Sequence, residues 1–206
     1  TAFRAPTLYQ RFSEYGQAAL QPEQGHNVEL GLHWAEGSSR LGVTAYRNRV
    51  SNLINFGAPG PCAGLYGCYE NAGNALLQGV TITGAHRLAG VNLHASLDLQ
   101  QPKNADTGTL LARRAQRLLK LAADTRMSTW TLGAEWQVAS HRWDNAANTS
   151  RLGGYGLVNL YASTTIARQW DLLARIDNLG DKNYQLAAGY PALPRTLFVG
   201  LRWTGR

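Results

Sequence analysis

The 206 residues are 44% hydrophobic, yet no run approaches the ~18 uncharged apolar residues that a transmembrane helix needs. The net charge of +7, from 20 Lys and Arg against 13 Asp and Glu, is scattered along the chain without basic–aromatic interleaving, which argues against a nucleic-acid-binding surface. The opening "TAFRAP" has no basic n-region or apolar h-region, so a signal peptide is expected to be absent or already removed, and the chain reads as a segment of a longer protein.

Alternation with period two dominates from residue 28 onward. Val28, Leu30, Leu32 and Trp34 share one face of a first predicted strand, with Glu29, Gly31 and His33 on the other. Leu41, Val43 and Ala45 mark a second, Val80 and Ile82 a third, and "GVNLHASLDL" (90–99) a fourth that alternates without a fault. Leu119, Leu121 and Ala123 give the fifth; Trp130, Leu132, Ala134, Trp136 and Val138 the sixth. Val158, Leu160, Ala162 and Ile166 give the seventh. Trp170, Leu172, Ala174 and Ile176 form the eighth, and Leu197, Val199, Leu201 and Trp203 the ninth. Most are long enough to cross a bilayer at a tilt, which takes ~9–11 residues. One stretch is ambiguous on its residues alone: "LLARRAQRLLKL" (110–121) fits a basic amphipathic helix as well as a strand, and the flanking alternation favours a strand whose top carries Arg113 and Arg114.

The connections alternate short and long. "EGSS" (36–39), "LAG" (88–90), "DTRMS" (124–128) and "ARQ" (167–169) are tight, while 56–78, 101–112, 141–154 and 178–195 are long. A β-sandwich alternates too, but it has no reason to gather every long loop at one end, whereas outer-membrane barrels do so. Trp34, Trp130, Trp170 and Trp203 fall at the short-turn end, as in one ring of an interfacial aromatic belt. Charge parity agrees. Glu29, Arg87, Asp98, Lys120, Glu135, Arg175, Asp177 and Arg202 share the polar parity of their strands, and the exceptions Arg47, Arg117 and Arg168 are expected near strand ends. These features predict an all-β, antiparallel up-and-down meander of about nine strands with its apolar face toward lipid. An odd count does not close as bacterial single-chain barrels do, so the meander is expected to be part of a larger barrel.

"FRAPTLYQRF", "LQPEQGHNVELGL", "YRNRVSNLI", "YENAGNALLQGVTITG" and "RIDNLGDKNYQ" resemble successive barrel motifs of TonB-dependent outer-membrane receptors. Within that family, "TGTLLARRAQ" (107–116) and "GYPALPRTLFVGLRW" (189–203) are similar to the cobalamin-transporter branch. The resemblance runs the length of the chain. It implies that residues 1–206 are the C-terminal part of an outer-membrane barrel of about 22 strands, with an N-terminal plug and energy drawn from TonB through that missing part. It implies uptake of a large scarce ligand, cobalamin first and an iron siderophore as the alternative. A passive pore or adhesin barrel is a second alternative, and would lack the plug. Two departures stand out: Thr204, Gly205 and Arg206 follow Trp203 where the family ends on an aromatic residue, and the loops carry few aspartates for a calcium site.

Ligand contacts are expected from the long loops, where Tyr66, Tyr69, Trp143 and Tyr190 offer large faces at small entropic cost. Loop aromatics that merely pack on one another are the competing reading. Cys62 and Cys68, the only cysteines, sit in "PCAGLYGCYE" on a loop assigned to the oxidising cell surface, and a disulfide is expected. Without His or Asp neighbours they make a poor metal site. "NLGDKNYQ" (178–185) reads as a structural turn, with Asp181 and Asn183 suited to left-handed backbone. No catalytic residue, cofactor or metal is expected: the five histidines are dispersed and neither HExxH nor G-x-S-x-G occurs. His94 and Asp98 share a strand face but stand too far apart to bond directly.

Overall fold

A computed structural model describes residues 1–71 and 73–205. Ala72, within "YENAGNALLQGVTITG", and Arg206, in the tail after Trp203, lie outside the described residues. In chain order the first elements are β1 (Ala2–Arg4), a short helix α1 (Leu8–Phe12), β2 (Glu23–Glu36) and β3 (Ser39–Ser51). Then come β4 (Ile54–Phe56), β5 (Tyr69–Asn71), β6 (Ala75–Leu88), β7 (Val91–Asn104), β8 (Arg117–Met127) and β9 (Trp130–Ala139). The remainder are β10 (Arg142–Trp143), β11 (Arg151–Leu152), β12 (Tyr155–Ala167), β13 (Trp170–Asp177), β14 (Gln185–Ala187), β15 (Tyr190–Pro191) and β16 (Thr196–Trp203).

Ten strands form one sheet in the order β1-β2-β3-β6-β7-β8-β9-β12-β13-β16, so sequence neighbours are sheet neighbours throughout. All nine predicted strands are there; the tenth is β1, three residues paired antiparallel to Glu23–Gly25 and too short to show a period. Pairs β4–β5, β10–β11 and β14–β15 are small hairpins inside the long connections. Every short connection is a two-residue turn, at 37–38, 89–90, 128–129 and 168–169. Ala89 and Gly90 both have positive φ, 48° and 85°, the mirror-image turn whose twist matches the strands it joins.

Three expectations shift. The strand favoured over 110–121, with Arg113 and Arg114 at its top, is shorter: β8 begins only at Arg117, and Arg113, at φ 61°, and Arg114 lie in the loop before it. Strand β6 begins at Ala75 and β7 continues to Asn104, so the long connections are 52–74 and 105–116 rather than 56–78 and 101–112. Beyond the apolar band nothing forces a strand to alternate, so polar residues such as Gln100, Gln101 and Lys103 hide its continuation. Finally, Asn178 and Asp181 have positive φ (52° and 50°), whereas Asn183 does not.

Contacts divide the chain into two units, 1–30 with 46–79 and 101–111, and 31–45 with 80–100 and 112–206. Among the described residues of the first, Leu20, Ile54, Cys68, Ala75 and Pro102 are buried apolar residues; of the second, Ala139, Leu152 and Tyr155 are. None lies mid-strand in the main sheet. The sheet's own apolar parity is uncovered instead: Val28 is 73% exposed, Leu32 72% and Leu197 71%. A sandwich would bury these positions under a second sheet, and each such side chain left in water forgoes ~1.5–3 kcal/mol. Among the described residues no helix is long and apolar enough to cross a membrane.

On the polar parity of the second unit, several charges find partners. Arg175 and Asp177 pair at 2.9 Å, as do Arg202 and Asp171, and Thr81 donates to Asp98 at 2.7 Å. His94 lies 4.0 Å from Asp124 and not beside Asp98, so those two do not form a pair. Gly133 lies under the Tyr161 ring, in the space a Cβ would need. At the short-turn end Trp170 and Trp203 stand opposite each other in the register, and Trp203 Nε1 donates to Gln169 Oε1 at 3.2 Å.

Candidate functional site in the long loops

The first unit builds its loop around the disulfide. Tyr69 on β5 meets Phe56 of β4 edge-on at 5.3 Å between ring centroids, and Tyr9 and Tyr15 extend the cluster by edge contacts to Tyr69 and Phe56. Asn71 ties the base: its Nδ2 donates to Asn52 O at 2.8 Å and Gln21 O at 3.0 Å, and its Oδ1 accepts from Gln21 N. Glu23 pairs with Arg4 and accepts the Ile54 amide at 2.8 Å. Cys62 and Cys68 form the expected disulfide, with Cα atoms 5.7 Å apart. It closes a short loop whose tip, Leu65 and Tyr66, projects into solvent, Tyr66 at 81% exposure. The sequence places Tyr66 and Tyr69 only three residues apart, yet one is a free tip and the other a packed wall.

Removing this cross-link has a defined expected result. Cys62→Ser with Cys68→Ser loosens the tip by ~2–3 kcal/mol through the restored freedom of the open loop. Intact-mass measurement with and without reductant and alkylating agent checks the pairing: untreated protein gains no alkyl groups, and reduced protein gains two.

In the second unit, three connections are joined by two side chains. Asp144 Oδ1 accepts from Arg113 Nε at 2.9 Å and from the Ala188 amide at 3.1 Å, linking 112–116, 140–154 and 178–195. The Ala188 amide and then Arg113 hold its carboxyl below the usual carboxylate range. Arg142, 6% exposed, donates through Nη2 to Gln185 O at 3.2 Å and stacks 5.0 Å from the Tyr155 centroid. Tyr155 in turn faces Tyr184 at 4.4 Å. Trp143 is half-buried against His141, whereas Tyr190 is 74% exposed on β15. Asp144 and Arg142 escape a sequence reading because their partners are 31 to 44 residues away. The only local hint is two charged residues flanking Trp143.

The Asp144 tie sets a pH dependence. A carboxyl whose pKa is lowered by folding contributes fully above its ordinary pKa and loses that contribution as pH falls through the lowered value. Hydrogen-exchange protection of the Ala188 amide is therefore expected to be flat above about pH 5 and to fall below about pH 4. Asp144→Asn removes that acid-side change.

Among the described residues no three His, Cys, Asp or Glu side chains converge as metal ligands. The four sequence-predicted aromatics divide by unit: Tyr66 and Tyr69 on the disulfide loop, Trp143 and Tyr190 on the loops joined through Asp144 and Arg142. Two are exposed faces and two are engaged in packing.

Comparison with known proteins gives concordant matches. Residues 1–179 match the family model described as TonB dependent receptor-like, beta-barrel. The chain is 30% identical over 210 residues to the vitamin B12 transporter BtuB of Vibrio cholerae serotype O1, an alignment covering 98% of this chain and 33% of BtuB. It thus spans about a third of the length of the curated relatives it matches. Among solved structures, the copper transporter OprC superposes with a TM-score of 0.79 at 19% identity, over 98% of this chain and 36% of that one. A ferric enterobactin receptor (PfeA) mutant from Pseudomonas aeruginosa gives 0.77 at 22% identity, over the same shares. At these identities the structural matches speak to the fold alone.

Proposed function

The chain belongs to the TonB-dependent receptor β-barrel family, an outer-membrane family of transporters and receptors, and from that premise we propose that it is the C-terminal barrel part of a receptor for cobalamin. The observation that carries the ligand is the 30% identity to the vitamin B12 transporter, spread over 98% of this chain rather than confined to one motif. Uptake is energy-coupled, with TonB engaged by the receptor's N-terminal part, and no bond is made or broken. The open order of the ten-stranded sheet, with β1 and β16 each paired on one side only, fits a segment completed by further strands.

Ligand meets the long loops. Tyr66 and Tyr190, with free faces on a disulfide-closed tip and a short hairpin, are the contacts; Tyr69 and Trp143 hold the loops that present them. Preorganised aromatic faces bind with little ordering cost.

Calorimetric titration of the complete receptor and of residues 1–206 with cobalamin and with a ferric siderophore tests this. The complete receptor is expected to take cobalamin tightly and the siderophore not at all. The segment alone binds weakly, because a site built from a whole rim and plug loses most of its convergent contacts. Tight siderophore binding without cobalamin overturns the ligand while leaving the barrel standing. Uptake that persists without TonB identifies a passive pore instead.

A further inference from the structure

Of the three exceptions to charge parity named from the sequence, Arg117 and Arg168 lie where expected, as the first residue of β8 and in the turn 168–169. Arg47 does not. It is the ninth of the thirteen residues of β3, and Arg49, two residues on, shares its face.

This departure is part of a band. On β3 the apolar parity runs Leu41, Val43, Ala45 and then changes to Arg47 and Arg49. On β7 it runs Leu97, Leu99 and then Gln101 and Lys103; on β6, read toward the loop, it runs Ile82, Val80 and then Gln78. Gln78 and Gln101 meet at 3.5 Å. The same face is therefore apolar for the part of each strand near the short turn and carries cationic or amide side chains beyond it, with Leu76 on β6 as an apolar exception. Counting from the turn, the switch falls at the ninth residue of β3 and the eleventh of β6 and β7, and ~9–11 residues is the length at which a tilted strand leaves the hydrocarbon.

Within the first unit, Arg47, Arg49 and His26 line one surface hollow of about 490 Å³, floored by Ala75 and Leu76 and bounded by Ala105. All three side chains that could carry charge there are exposed. Neither arginine has a carboxylate within ion-pair distance among the described residues. Asp106, next along from Ala105, is already occupied: it accepts from Asn74 through N at 2.8 Å and Nδ2 at 3.0 Å. Two guanidinium groups on a membrane-facing surface, at headgroup depth and in no ion pair among the described residues, favour an anion from the membrane. Guanidinium matches phosphate oxygens two at a time.

We propose that the hollow lined by His26, Arg47 and Arg49 binds the phosphate of an anionic lipid headgroup in the leaflet on the long-loop side. The apolar floor at Leu76 receives the first part of the acyl chains of the same molecule. This rests on the outer-membrane placement of the strands, which the substitution at Leu97 described below tests separately.

The test uses the complete receptor in detergent, with lipid A bearing two phosphates as the probe and native mass spectrometry as the readout. The double variant Arg47→Gln, Arg49→Gln is expected to bind lipid A about 10–30-fold more weakly than wild type. Lipid A stripped of phosphate binds wild type no better than the intact lipid binds the variant. Equal retention by wild type and variant, or equal binding of the stripped lipid, overturns the proposal. Displacement of lipid A by millimolar inorganic phosphate also overturns it, by showing a free-anion site. Should the variant not fold, wild type decides through salt: retention that falls with ionic strength supports the site, and retention indifferent to salt refutes it.

Discussion

Leu97→Arg and Leu160→Arg each lower the stability of the membrane-inserted protein by ~2–4 kcal/mol, while Ser163→Arg leaves it within about 0.5 kcal/mol of wild type. Leu97 is the seventh of fourteen residues in β7 and faces Leu119 across the ladder; Leu160 is the sixth of thirteen in β12 and lies between Ala134 and Ile176. Both sit on the parity that no second sheet or helix covers. Lipid must cover it, and a guanidinium at mid-depth has neither water nor a counter-ion. Ser163 belongs to the other parity, opposite Thr131 and Leu173, on the face where Arg175 and Arg202 find their aspartates. Urea titration of the complete receptor in phospholipid vesicles, followed by tryptophan fluorescence, reads the difference. Equal losses at Leu97, Leu160 and Ser163 contradict lipid exposure of the apolar face. Leu93 and Leu132 look central in the sequence but are only the third residues of β7 and β9, so arginine there can reach the interface and should cost less.

Asn178→Ala is the second large effect, and it acts on the loop 178–195 rather than on the sheet. Asn178 is 4% exposed with φ at 52°. Its Nδ2 donates to Lys182 O at 3.0 Å and Leu193 O at 3.4 Å, and its Oδ1 accepts from Lys182 N at 2.8 Å. Its own amide donates to Asn159 Oδ1 on β12 at 2.9 Å, which fastens the loop to the sheet. Alanine removes three side-chain bonds at ~1 kcal/mol each and adds ~1 kcal/mol for a Cβ-bearing residue without a local bond in left-handed backbone. A total of about 3–4 kcal/mol of local stability is lost. Asn178→Gly keeps the backbone and is expected to recover about 1 kcal/mol of that; Asn178→Asp keeps the acceptor and should fall between. Limited proteolysis across 178–195, compared with cleavage in 140–154, measures it. Uniform sensitivity of both loops in every variant contradicts a local anchor.

The strands were legible because their signal is local and repeated. Residues such as Leu93, Ala95, Leu97 and Leu99 must all face one way, and one slipped residue would turn the whole set to the wrong side. The short connections were legible in place, since they are what remains between two periodic runs, but not in length: 124–128 shrinks to the turn 128–129 because β8 continues to Met127. Beside the favoured strand, residues 110–121 left a helix open, because Leu111, Ala115, Leu118 and Leu119 satisfy a helical period by composition alone. The Lys103–Leu110 bridge, the Leu111 amide bonded to Pro102 O and the left-handed Arg113 rule it out, and a sequence window contains none of these partners' positions. In "NLGDKNYQ" composition offered several residues able to adopt positive φ. Asn159 and Leu193, from outside the stretch, select Asn178 rather than Asn183.

By itself, then, the sequence determined the all-β class, the number and facing of the long strands, the alternation of tight and long connections, and the pairing of its two cysteines. Each follows from period, length or a lone possible partner. Only the tertiary structure decided where the strands stop, that Tyr66 is a free tip while Tyr69 is a packed wall, and that Asp144, Arg142 and Asn178 hold the long loops. It also decided that Arg47 and Arg49 share an unpartnered hollow with His26. The physical reason is one of range: a strand's facing is imposed by a bilayer that acts identically on every second residue. A loop is held by single hydrogen bonds between residues tens of positions apart, and no periodicity marks them.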